Sequence, residues 1–170
     1  MADQDIAAAI ASARAYLSAN PADARYRDGA ATATIESGLR VSVAGDDGVA
    51  LVTDMVTGVG GGGSAPSPGW ILRAAYASCV ATFIAMRAAE KGTSLDDLGV
   101  TVDSESDDRG ILGIDETVPA GPLSVRVVVS VASDVPGEGI REIVEWGVAH
   151  CPVHDAVSRA VPIDLQVQVR

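Results

Sequence analysis

Residues 58–92 constrain the fold more than any other stretch. "GVGGGGSAPSPG" is the strongest breaker in the chain. It runs straight into an apolar, helix-periodic segment from Trp70 to about Lys91, closed by Gly92. The segment is hydrophobic nearly all round, which predicts a helix buried at the centre of the fold. A boundary at the glycine tract would leave two pieces too small for comfortable domains, so residues 1–170 read as a single domain with a mobile loop there. The unbroken apolar run, Ala74 to Met86, lies between Arg73 and Arg87 and is too short to span a bilayer.

The rest of the chain is built around this helix. "DIAAAIASARAYLSA" has helical spacing and stops before Asn20-Pro21. "ATATIES" and "LRVSVAG" alternate about a Ser37-Gly38 turn, and "GVALVTDM" predicts a third strand. "LGVTVDSES" and "PLSVRVVVSVA" predict two more, flanking the polar loop "DDRGILGIDETVPAG". "GEGIREIVEWGVAH" is a helix with Ile140, Ile143, Val144, Gly147 and Val148 on one side, and "PVHDAVSRA" restarts helically. "IDLQVQV" closes as a strand, with Ile163, Leu165, Val167 and Val169 facing one way. The class is α+β, with a mostly antiparallel sheet and two buried central helices.

Apolar residues make up 48% of the chain and charged residues 21%, so it is globular rather than disordered. The net charge of −11, with Lys91 the single lysine, argues against nucleic-acid backbones as partners. The N-terminus is acidic where a secretory signal would be basic. The expected place is the cytoplasm, with no membrane partner, and two cysteines there are free thiols or a catalytic pair rather than a structural staple.

Cys79 lies midway along the central helix, where a buried cysteine is either a small hydrophobe or a nucleophile. Cys151 precedes Pro152, a residue at home in the first turn of a helix, so Cys151 takes the N-cap position. Free N–H groups and the helix dipole there would stabilise a thiolate. The alternative is that Cys151 only fills the joint between two helices. "HCPVH" also raises zinc, with His150, Cys151, His154 and Cys79 as ligands. Adjacent residues 150 and 151 point about 100° apart on a helix, and known zinc spacings leave at least two residues between paired ligands, so no metal site is assigned. His154 is a helix-face residue positioned to tune Cys151. No C-x-x-C motif is present.

"APSPGWILRAAYASC" resembles the P-x-x-L-x-A-A-x-A-x-C segment of the OsmC/Ohr family, and "AHCPVHDAV" resembles its second signature, a cysteine-proline pair opening a helix. The resemblance covers about residues 26–170 and leaves residues 1–25 as an N-terminal helical extension. It implies an intertwined homodimer and a thiol-dependent peroxidase acting on organic hydroperoxides, with a role in oxidative-stress defence. The residue matching Cys79 attacks the peroxide, and the one matching Cys151 resolves the sulfenic acid as a disulfide. A small dithiol or a lipoylated protein then reduces that bond, and no cofactor is needed. Trp70 and Phe83 are assigned to substrate contact in an apolar pocket.

The chain departs from the peroxidase pattern at one place. The glutamate usual ten residues before the first cysteine is Gly69 here. The supporting arginine is not aligned, with Arg27, Arg40 and Arg73 as candidates. Arg73 lies about 240° round the helix from Cys79. A second reading follows: a non-peroxidatic relative that binds a hydrophobic ligand or senses oxidants through its thiols.

Overall fold

The computed structural model describes residues 3–169. They form two compact units, Ala8–Ala75 and the chain from Tyr76 onward with the first few residues.

The first unit contains most of helix α1 (Asp3–Ala19), which stops where Asn20 turns its amide back onto the Tyr16 carbonyl at 2.9 Å, ahead of Pro21. Strands β1 (Ala31–Ser37), β2 (Arg40–Gly45) and β3 (Ala50–Thr53) follow as an antiparallel meander in the order β1-β2-β3. Ile35 pairs with Val41 and Ser42 with Val52. The turn between β1 and β2 is made by Gly38, at φ +56°, with Leu39. β1 is exposed along its whole length. β3 runs into the buried pair Thr53 and Asp54.

Helix α2 (Pro68–Lys91) begins at the end of this unit and ends in the second, closed by Gly92 at φ +63°. At 24 residues it is long and apolar enough to cross a membrane. Its buried side chains, however, form a stripe (Tyr76, Val80, Ile84, Ala88) that packs into protein, as a core helix does. The expected burial all round is not found: Leu72 and Trp70 are exposed.

In the second unit, β4 (Asp96–Glu105) and β5 (Ser124–Ala132) pair antiparallel, joined through a loop that contains the one-turn helix α3 (Asp108–Ile111), capped by the Asp107 side chain. Val100, Val102, Val127 and Val129 pack on the α2 stripe. Helix α4 (Gly137–Ala149) contributes Ile143 and Gly147, and α5 (Pro152–Ser158) begins at the fully buried Cys151.

The closing strand is not formed. Residues 161–169 are irregular, and Ile163 and Val169 are 90% and 92% exposed. Alternation gives a segment two faces but no neighbour, and among the described residues β4 and β5 pair only with each other.

Candidate functional site

The turn-by-turn spacing of α2 places Tyr76, Cys79 and Val80 toward the same cluster. Cys79 is half-buried there and Cys151 fully buried, and both are free thiols. They are far apart in the sequence, yet Cys79 packs against the cluster that contains Cys151, and the two thiols influence each other.

Cys151 does occupy the N-cap of α5. Its backbone is extended, Pro152 supplies the first helical residue, and its Sγ accepts the His154 N–H at 3.4 Å. The expected preference for thiolate is outweighed, however. Burial pushes the Cys151 thiol up, and the neighbouring Cys79 thiol pushes it further. The N–H groups of His154 and Val153 pull the other way and do not prevail. The proton is thus held on the buried thiol, and the half-buried Cys79 has the better access to an incoming oxidant.

The two histidines do not converge. His150 stacks on Trp146, with ring centroids 3.9 Å apart and planes 13° apart, and its Nδ1 meets the Trp146 carbonyl at 2.8 Å. The Arg87 guanidinium lies over the same indole at 4.8 Å. His154 turns to α2, where its Nδ1 meets the Tyr76 hydroxyl. Among the described residues no three His, Cys, Asp or Glu side chains gather to hold a metal. Tyr76 escaped the sequence analysis, although its place one turn before Cys79 on the same helix was the signal for it.

Asp54 escaped it too, because nothing in the local pattern marks a buried carboxylate. Its Oδ1 accepts the N–H groups of Met55 (2.8 Å) and Gly62 (3.2 Å), and its Oδ2 accepts the N–H (3.0 Å) and hydroxyl (2.8 Å) of Ser64. Arg40 bonds that hydroxyl at 2.6 Å and Glu36 at 2.9 Å. Gly61 approaches so closely that a Cβ would lie 2.0 Å from the Met55 carbonyl oxygen. The glycine tract expected to be a mobile loop is therefore wound onto one carboxylate.

That carboxyl is held at about 2, chiefly by the Ser64 N–H, then by the Ser64 hydroxyl and the Gly62 and Met55 N–H groups. A carboxyl depressed in the folded state stabilises the fold above its ordinary value, and the contribution is lost as pH falls toward about 2. Asp54→Asn should therefore open the tract at neutral pH, read as elastase cleavage near Val59. The wild type should become cleavable there only under strong acid, with pepsin as the protease.

Trp70 is 51% exposed and, with Met55, Val56, Pro66 and Arg73, lines a cavity of about 380 Å³ in the first unit. Phe83 is half-buried on α2, outside the main cluster, and Arg27 is exposed. A Cβ on Gly69 would meet only the Arg73 Nη1, at 3.8 Å. Gly69→Glu should thus be accommodated, four residues before an arginine and in a first turn that favours acids. A gain of about 0.5–1 kcal/mol is expected in denaturant unfolding.

The family model described as OsmC-like protein matches residues 61–166. No curated protein matches the chain by sequence. Among solved structures, an OsmC-like protein of Mycoplasma pneumoniae superposes with a TM-score of 0.66 at 15% identity, covering 78% of this chain and 89% of that one. An organic hydroperoxide resistance protein of Elizabethkingia anophelis gives 0.63 at 19% identity, covering 79% and 90%. The organic hydroperoxide resistance protein OsmC of Legionella pneumophila gives 0.60 at 21% identity, covering 79% and 91%. At these identities the likeness is one of fold.

Proposed function

Since the chain belongs to the family of OsmC-like proteins, we propose that it is a thiol-dependent peroxidase that reduces organic hydroperoxides through Cys79 and Cys151. The observation that carries this reading is the pair of free thiols brought to one apolar cluster, Cys151 fully buried in it and the half-buried Cys79 packed against it. The Cys79 thiolate attacks the terminal peroxide oxygen. The O–O bond breaks, the alcohol leaves with a proton, and Cys79 becomes a sulfenic acid. Cys151 then attacks Cys79 sulfur, an S–S bond forms, and the sulfenic oxygen departs as water. A dithiol, free or as a lipoyl group on a protein, exchanges with the disulfide and restores both thiols. Burial of Cys151 suits a resolving thiol, which must be shielded from oxidant until its partner has reacted. The cytoplasm, where free thiols persist, is the fitting compartment.

The working unit is a homodimer. The wholly exposed β1 and the exposed Ile163, Leu165, Val167 and Val169 support this, because a three-stranded sheet and an alternating apolar segment need a covering surface.

Intact mass tests the chemistry. Reduced protein given one equivalent of cumene hydroperoxide should lose two hydrogens, and added dithiol should restore the mass. Two observations favour the other reading, a hydrophobic-ligand binder or oxidant sensor without turnover: the glycine at position 69 and the upward shift of Cys151. An unchanged mass beside a reacting control peroxidase would select it.

A further inference from the structure

A partly buried polar contact beside the thiols has no part in the steps above. Tyr76, only 5% exposed, meets His154 Nδ1 through its hydroxyl, with the ring centroids 5.9 Å apart. Tyr76 stands one turn before Cys79 on α2, and His154 three residues after Cys151 on α5, where its own N–H holds the Cys151 sulfur. The pair thus ties both thiol-bearing helices together at the level of the sulfurs.

Few other titratable groups face this point. From α2 come Tyr76 and Cys79, and from α5 His154. Helix α4 presents Val144 and Val148, with His150 turned onto Trp146. β4 and β5 present Val100, Val102, Val127 and Val129. Cys151 must shed a proton in this apolar setting before its sulfur can attack.

We propose that the Tyr76–His154 pair takes up the proton that Cys151 releases as it attacks oxidised Cys79, an assignment that rests on the thiol-pair reading and adds a proton acceptor to it. The Tyr76 hydroxyl passes its own proton to His154 Nδ1 as it receives the one from Cys151 sulfur. The sulfur lone pair becomes the S–S bond, and the S–O bonding pair leaves with the sulfenic oxygen. His154 then returns its proton through the Tyr76 hydroxyl to the departing sulfenic oxygen, which leaves as water. The phenol is suited to relay rather than ionise: burial first, and then the charge of Cys151, raise its pKa and keep it protonated. Tyr76 relays the proton and His154 holds it during the resolving step.

The aryl disulfide dithiobis(nitrobenzoate) tests this without any peroxide. Cys79 attacks it and releases one thionitrobenzoate. Cys151 then closes the protein disulfide and releases a second, which reports the resolving step alone. The wild-type second phase should reach a plateau as pH rises. In His154→Asn, an oxygen still accepts from Tyr76 but cannot take up a proton. Its second phase should slow about 100-fold near neutral pH and climb in proportion to hydroxide. Tyr76→Phe should behave alike, and decides the matter if the asparagine variant fails to fold. Wild-type rates and pH profile in a folded variant would overturn the proposal. If peroxide leaves the wild-type mass unchanged while both variants still slow the second release, the peroxidase reading falls and the proton acceptor stands.

Discussion

Cys79→Ser is expected to bring hydroperoxide consumption down to the uncatalysed background, and Cys151→Ser to stop the protein one oxygen heavier after a single event. The two outcomes differ because the thiols are unequal in access. Cys79 is half-buried and so open to an oxidant, while Cys151 is sealed in the cluster. A serine at position 79 has no thiolate to attack the O–O bond, so neither an oxygen adduct nor a disulfide forms. A serine at position 151 leaves the sulfenic acid unresolved, and excess peroxide should carry it on to the irreversible sulfinic state. Stopped-flow consumption assays and intact mass on both variants read this directly. The pH dependence follows from the upward shift of the resolver. Burial, then the neighbouring Cys79 thiol, keeps Cys151 protonated in the range where an ordinary thiol begins to ionise. Disulfide formation therefore depends on proton removal, and oxidation of Cys79 in Cys151→Ser should not show that dependence.

Most of the architecture was legible because it rests on periodicity and on breakers. Gly92, Pro152 and the alternation in β4 and β5 each act within a few residues of where they are read. The Cys151 N-cap was legible for the same reason, since proline fixes the turn that creates it. What failed depends on partners distant in sequence. Alternation at Ile163–Val169 indicates a face without saying that another strand is available to bond it. Glycines at 60–63 indicate conformational freedom, yet the Asp54 carboxylate removes it with four bonds that no local pattern announces. The contact of His154 with Tyr76 likewise joins residues on two helices whose approach is settled only by packing.

The packing of α4 on α2 is made at Gly147, and replacing it should have the largest effect on stability. A Cβ at this position would sit 2.7 Å from Ile84 Cγ1, 2.8 Å from its backbone nitrogen and 2.9 Å from its Cα. The side chain could move aside, but the backbone of α2 cannot without shifting the helix that bears Cys79 and Tyr76. Two effects compete in Gly147→Ala. Helix propensity favours alanine by about 1 kcal/mol in the middle of α4. Overpacking a close-packed contact costs about 1–3 kcal/mol, and the contact with backbone places this case at the upper end, so the net sign is destabilising. Gly137→Ala, at a position on the same helix with nothing within 4 Å, should show no such loss. Gly147→Leu should go further and unfold the second unit or drive α4 off α2. Denaturant melts of the three variants rank these outcomes. The thionitrobenzoate assay adds a functional reading: if α4 packed on α2 is what brings Cys151 to Cys79, Gly147→Ala should retain the first release and slow the second even where the protein is still folded.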